Sequence, residues 1–448
     1  MQKPALSKLK SPLKALGLMI LPILLLGAGA FGGYLYSRQT TPAPVVTSAT
    51  PKDPYLDFLG EIYDKVKENY WDKISDDQLA NLYKLGVEKL TGFPQNLKTK
   101  DKDGVRVMVG LAIKDFETEK KKKLTTDLAG IVLANLNPFG RNGLFTSEDE
   151  TALKNTVQNV NPEKDLYQNL GVSKGASGEV IKEAYEKQVV ALAPLKESSP
   201  EAKKKLEEID YAYSVLTEKD QKERYDNNKA EPTVFAKVIT PEIYHLYIKR
   251  FSPTTFDEFQ KAADSVDQYP KLNTLILDLR GNIGGAIDLM PYFLGPFIGQ
   301  NQYAYEYFHQ GEYTPFKTQT GYLPALVRFK KVVVLIDGNS QSTAELMASV
   351  LKRYNVGVLV GTKTKGWGTI ERVFDLKQQI DPTEKYSIYL VHTLTLRDDN
   401  KPVEGNGVEP TINITDKDWQ QQLLAHFNYP LLVTAVADIW SKGLTEFN

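Results

Sequence analysis

The chain is expected to be an α/β protein with a mixed-sheet core, preceded by a transmembrane helix, a helical region and an all-α insert. Three observations carry that expectation. Residues 331–371 read KVVVLIDGNSQSTAELMASVLKRYNVGVLVGTKTKGWGTIE, which is strand, tight turn, helix and strand in succession. Residues 274–285, TLILDLRGNIGG, are a second strand running straight into a glycine turn. Much of the chain from residue 55 to residue 230 instead repeats apolar residues at helical intervals.

Composition bounds the chemistry. The 448 residues carry a net charge of −1, so nothing global favours nucleic acid. There is no cysteine, which excludes disulfides, thiolate catalysis and cysteine-based metal sites. The four histidines show no ligand spacing, and no metal or cofactor is expected.

At the N-terminus, Lys3, Lys8, Lys10 and Lys14 precede a nearly continuous apolar segment, residues 15–36. As a helix it would run about 33 Å, enough to span a bilayer. Lysines on the leading side place residues 1–38 as a cytoplasmic segment and single-pass anchor, with the bulk of the chain outside the cytoplasmic membrane. Ala28-Gly29-Ala30 also fits a signal-peptide cleavage site, but the apolar run continues past it through Tyr34, Leu35 and Tyr36. Residues 39–54 are a Pro/Thr/Ala-rich linker. Residues 55–160 read as a helical region, with Phe58, Leu59, Ile62, Tyr63, Val66, Tyr70 and Trp71, then Leu79, Leu82, Leu85, Val87 and Leu90, recurring at helical spacing. Residues 161–230 form a further helical module, 231–415 the core, and 416–448 terminal helices.

Within the core, residues 332–336 are a buried-strand run that stops at Asp337-Gly338-Asn339. Leu346, Met347, Val350, Leu351 and Tyr354 then share one helix face. Ser342 falls at that helix's N-terminus, where free N–H groups and the helix dipole favour a developing negative charge. Taken alone, such a serine also reads as a helix cap, and Gly281-Asn282-Ile283-Gly284-Gly285 as a tight turn.

Together the two stretches resemble the carboxyl-terminal processing, or tail-specific, protease family. Its DLR-x-N-x-GG turn appears as residues 278–285, its serine turn as Ser340-Gln341-Ser342-Thr343-Ala344-Glu345, and its glycine-rich loop as residues 361–371. Gly407-Val408-Glu409-Pro410 extends the match, with Thr411 where the family has aspartate. The resemblance implies Ser342 as nucleophile, and the Thr343 amide with that of Gly284 or Gly285 as oxyanion hole. The family's base is a lysine, held by a glutamine. Here Trp367 stands at the lysine position and Glu371 at the glutamine position. If the loop is extended, Lys363 and Lys365 share a face with Trp367, which makes Lys365 a candidate displaced base. His392 is a further candidate.

The family's usual PDZ module is missing from the pattern. Residues 165–226 resemble a J-domain instead, with Tyr167, Leu170, Ile181, Ala184, Tyr185, Leu206, Ile209, Ala212, Tyr213, Leu216 and Tyr225 at its core positions. Ala193-Pro194-Leu195 replaces the His-Pro-Asp tripeptide that a working J-domain needs to stimulate a chaperone. A protein-binding spacer is expected there, not a co-chaperone. The overall expectation is a membrane-anchored extracytoplasmic serine endopeptidase that cleaves protein tails, preferably apolar ones, by Ser/Lys acyl transfer. The alternative is an impaired pseudoprotease that binds peptides as a scaffold.

Overall fold

The structure, a computed structural model, describes residues 53–397 and 401–444. Four helices open it: α1 (Pro54–Asn69), α2 (Asp76–Thr91), α3 (Lys102–Ile113) and α4 (Thr118–Ala134). Phe58, Leu59, Ile62, Tyr63, Val66, Leu79 and Val87 are buried in one cluster, as their spacing predicts. Leu85 is not: it is 57% exposed, because Leu79, Tyr83 and Val87 define the inward stripe of α2 and Leu85 faces away. A short strand β1 (Gly143–Thr146) and helix α5 (Ser147–Gln158) follow. The segment read as wholly helical therefore contains one strand.

The next module comprises α6 (Leu166–Asn169), α7 (Gly178–Leu192), α8 (Pro200–Thr217) and α9 (Lys219–Asn228). Leu170, Ile181, Ile209, Ala212, Leu216 and Tyr225 are buried together, and Tyr185 stacks on Tyr213 with ring centroids 4.0 Å apart. Ala193-Pro194-Leu195 forms a 3-10 turn after α7, and Leu195 is exposed. The module is joined to the core by ion pairs, Arg224 Nη1 to Glu258 Oε1 at 2.8 Å and Lys261 to Asp220.

The core elements are β2 (Val234–Thr240), β3 (Ile243–Ile248), α10 (Thr255–Asp264), β4 (Thr274–Asp278), α11 (Met290–Ile298), β5 (Tyr303–His309), β6 (Glu312–Lys317), α12 (Pro324–Val327), β7 (Lys331–Ile336), α13 (Thr343–Arg353), β8 (Val358–Gly361), β9 (Thr369–Asp375), β10 (Tyr386–Leu396), β11 (Ile412–Asn413), α14 (Trp419–Phe427) and α15 (Pro430–Lys442). One six-stranded sheet has the order β11-β8-β7-β4-β3-β2, parallel except for the β2/β3 pair. Its central strands read as continuous apolar runs because both faces are covered. Leu275, Leu277, Val334 and Ile336 pack under α10, α11 and α13, while Ile276, Val333, Leu335 and Val360 pack under α14 and α15. The second sheet runs β1-β10-β5-β6, with β9 also paired to β10. Tyr305 of β5 is core, whereas Tyr307 reaches the cleft described below.

Register fixes the site. Asp278 of β4 lies opposite Leu335 of β7, so the turns leaving the two strands emerge side by side at the carboxyl edge of the parallel sheet. Open α/β sheets place their ligand crevices at that edge. Among the described residues no helix is long and apolar enough to cross a membrane, and the expected anchor at residues 15–36 lies outside them.

Candidate active site

Two turns are pinned to one another before any reactive group is considered. The Asp337 carboxylate accepts the Gly281 N–H at 2.9 Å and the Ser340 N–H at 2.9 Å. The fully buried Ser340 hydroxyl donates to Leu279 O at 2.8 Å, and the Gln341 N–H donates to Asn282 O at 2.9 Å. Underneath, the buried Asp278 carboxylate is held by Arg280 Nε at 2.9 Å and Nη2 at 2.7 Å, and by His245 Nε2 at 3.1 Å. Burial opposes the charge on Asp278, but His245 and Arg280 prevail and hold its carboxyl below the usual range. Asp278 and Arg280 thus anchor the turn and do not face substrate.

Ser342 sits where β7 turns into α13, with φ 57° and ψ −123°. A helix cap ordinarily has an extended backbone, so although Ser342 pairs with Glu345 as in a capping box, its backbone is not that of an ordinary cap. For a residue with a Cβ the conformation costs about 1–3 kcal/mol and persists only where neighbours fix it. Glu345, fully buried one turn along, supplies that restraint. Its carboxylate accepts the Ser342 N–H at 2.8 Å, and also Thr364 Oγ1 at 2.5 Å, the Gly366 N–H at 2.7 Å and the Trp367 N–H at 2.8 Å. Burial raises the Glu345 pKa, and these four donors work against that rise. One carboxylate therefore fixes both the serine turn and the glycine-rich loop.

The glycine turn approaches the serine as closely as a backbone can. A Cβ on Gly284 would stand 2.7 Å from the Ser342 Cβ and 3.0 Å from the Thr343 nitrogen, and Gly284 has φ +87°. Its N–H is already spent on Asn282 Oδ1, at 2.8 Å. The N–H groups of Gly285 and Thr343 have no partner among the described residues, and Thr343 Oγ1 donates to Gly285 O at 3.0 Å. Of the two glycines, Gly285 is thus the one with a donor to spare. The Thr343 N–H adds the positive end of the α13 dipole.

Ser342 opens on a cleft of about 490 Å³ that also receives Gly284, Gly285, Tyr307, Trp367, Glu371 and Arg250. Among the described residues no lysine or histidine lines it. Lys365 and Lys363 are both exposed outside the cleft, and Lys363 Nζ pairs with Glu409 Oε1 at 2.8 Å. The expectation that Lys365 shares a face with Trp367 fails because the loop is not extended. β8 ends at Gly361, β9 begins at Thr369, and Gly366 turns the chain at φ +80°. Glu345 draws Thr364 inward, which leaves its neighbour Lys365 outward. His392 is also distant in role: its Nδ1 contacts Asn69 O at 2.9 Å, its ring packs on His309, and burial lowers its pKa.

Trp367 fills the base position rigidly. The Arg141 guanidinium lies 3.3 Å over its ring and is itself paired with Glu404 at 2.9 Å. The indole N–H donates to Glu371 Oε1 at 3.1 Å, and Thr369 Oγ1 donates to the same oxygen at 2.5 Å. Burial raises the Glu371 pKa despite these donors. Glu345 and Arg141 were not singled out as site residues in the sequence. Glu345 lay inside the serine motif, which was a usable signal, but nothing local marked Arg141. Among the described residues no group of side chains could hold a metal ion.

Residues 242–414 match Peptidase family S41, and residues 165–226 match the DnaJ domain. The carboxy-terminal processing protease CtpB of Bacillus subtilis (strain 168) is 28% identical over 192 residues, 42% of this chain and 38% of that protein. The carboxy-terminal-processing protease of Bartonella bacilliformis is 25% identical over 175 residues, 38% of each. The chaperone protein DnaJ of Clostridium acetobutylicum is 44% identical over 64 residues, 14% of this chain and 17% of that protein. The chain thus spans about two fifths of the length of the curated proteases it matches. The chain contains a peptidase family S41 domain, similar to the carboxy-terminal processing proteases, with a DnaJ domain ahead of it.

Proposed function

We propose that this chain is a tail-cleaving serine endopeptidase in which Ser342 attacks a peptide carbonyl and the N–H groups of Gly285 and Thr343 receive the oxyanion. The observation that carries the reading is the strained Ser342 backbone, held between those two unengaged donors. A mere turn has no need of a conformation that costs about 1–3 kcal/mol. Lys365 could serve as base only if the loop from residue 362 to residue 368 left Glu345. Two carboxyls line the cleft, Asp288 and Glu371, and burial raises the pKa of Glu371, beside Trp367 at the position of the family's base, which makes it the proposed proton acceptor. In the proposed sequence, Ser342 Oγ bonds to the carbonyl carbon while its proton passes to Glu371. The protonated Glu371 then gives that proton to the departing amine as the C–N bond breaks, and water hydrolyses the ester.

The second reading, a peptide-binding scaffold, is favoured by Trp367 and by the lack of an ammonium or imidazole in the cleft. The proposed placement is extracytoplasmic and membrane-anchored, on the strength of the lysines ahead of residues 15–36. The DnaJ domain is proposed as a protein-binding spacer where relatives have a PDZ module, because Ala193-Pro194-Leu195 lacks the groups that stimulate a chaperone. The test is hydrolysis of an unfolded, apolar-tailed protein by the full chain in detergent. Turnover lost in Ser342→Ala and Glu371→Gln but kept in Lys365→Ala is the expected result. Wild-type turnover no greater than that of Ser342→Ala, with peptide still bound, would establish the scaffold.

A further inference from the structure

A second cavity, of about 860 Å³, adjoins the Ser342 cleft, and Thr156 and Arg250 line both. Two cations at its inner wall make no ion pair among the described residues. Arg250 donates through Nη1 to Thr156 O, but its Nε is buried without a partner, and it makes no ion pair among the described residues. The Lys249 side chain lines the same cavity and likewise has no hydrogen bond or ion pair among the described residues. Burial lowers the pKa of both. Glu231, whose charge acts on both, is itself occupied by Lys164 Nζ at 2.9 Å and by the Tyr211 hydroxyl. Glu148 and Glu163 also line the cavity but are exposed at its rim.

The chain ties this pair to the reactive centre. Lys249 and Arg250 follow β3 directly, and the next residue, Phe251, is bonded on both sides to the glycine turn. Its N–H donates to Gly284 O at 2.9 Å, and its carbonyl accepts the Ala286 N–H at 2.7 Å. A peptide that crosses Ser342 and continues past the glycine turn would meet these two cations within a few residues, at about 3.3 Å per residue. Desolvated cations without an ion pair are costly, and an anion that reached them would relieve that cost with charge-assisted hydrogen bonds.

We propose that Lys249 and Arg250 form a carboxylate site that holds a carboxylate of the peptide lying in the Ser342 cleft, the free C-terminus being the one in reach. This rests on the cleft binding protein tails, and it supplies from the core a grip on the chain end for which no PDZ pattern is present. The site needs no catalysis, so it can be tested apart from turnover.

The experiment measures binding by fluorescence anisotropy to the full chain carrying Ser342→Ala. Three labelled peptides of one sequence are used: a free acid, a C-terminal amide, and an amide whose last residue is aspartate. The free acid is expected to bind about tenfold tighter than the plain amide. Lys249→Gln, outside the Ser342 cleft, should erase most of that ratio while leaving amide binding unchanged, which also shows that the variant is folded, and Arg250→Gln should erase the ratio as well. Equal strength for the aspartate amide and the free acid would support the site with a side-chain carboxylate as its source. Acid and plain amide bound equally would overturn the inference and leave the tail-binding reading intact. No binding of any peptide would overturn both.

Discussion

Gly284→Ala is the sharpest probe of the site. The new Cβ would stand 2.7 Å from the Ser342 Cβ and 3.0 Å from both Gln341 O and the Thr343 nitrogen, where ordinary contacts begin near 3.4 Å. None of those three atoms ends a flexible side chain, so the serine turn itself must yield. The backbone adds its own cost, since φ is +87° and an alanine held there loses about 1–2 kcal/mol. With about 1–3 kcal/mol for the overlap, the total is about 2–5 kcal/mol if the turn holds, and less if it moves. Movement displaces the Thr343 N–H, and loss of one oxyanion donor lowers turnover by about 10²–10³. Gly92→Ala is the control, because Gly92 has φ +76° with nothing within 4 Å of a Cβ. It should cost about 1 kcal/mol in thermal unfolding and leave hydrolysis unchanged. If Gly284→Ala behaved like Gly92→Ala in both assays, the close approach would not be what shapes the site.

Three further outcomes follow from the geometry. Trp367→Lys returns an ammonium to the cleft at the place the family uses, and should raise turnover by about 10² and remove its dependence on Glu371, as measured in the double variant with Glu371→Gln. Because burial raises the Glu371 pKa above its ordinary 4.5, wild-type hydrolysis should be lost as pH falls through a value above 4.5, and Trp367→Lys should abolish that limb of the pH–rate profile. Asp278→Asn leaves Arg280 buried without its carboxylate and should cost about 3–5 kcal/mol in denaturant unfolding at neutral pH. The Asp278 pKa is depressed, so its stabilisation is present above the ordinary 3.8 and fades as pH falls through the lower folded value, and the gap to the variant should close only there.

Much of the fold was legible because its signals are local. A five-residue, mostly β-branched apolar run ending at Asp337-Gly338-Asn339 signals a short buried strand and a turn, and the stripe after Ser342 is a helix of ordinary period. The helices of the DnaJ domain were legible for the same reason, and the domain itself by resemblance, its core residues falling at that family's positions. What escaped was set by partners far along the chain. Strand β1 is four residues long and exists because β10 pairs with it. The direction of Lys365 depends on Gly366 adopting a positive φ and on Glu345 gathering the loop amides, neither of which alternation along a strand can express. Trp367 was recognised as a departure from the family, but that it is clamped by Arg141 from the helical region appears only when the chain is folded. The choice between Gly284 and Gly285 was open in sequence and turns on a single hydrogen bond, from the Gly284 N–H to Asn282.

The central claim is that Ser342 is a nucleophile held in a working cradle, and covalent trapping tests it most directly. The full chain would be incubated with a peptidyl fluorophosphonate and its intact mass followed with time, with Ser342→Ala alongside. The account predicts a single adduct per chain, located by fragmentation on Ser342 and absent from the alanine variant. No adduct, in a chain that still binds the parent peptide, would contradict it and leave the cleft as a place where tails are held but not cut.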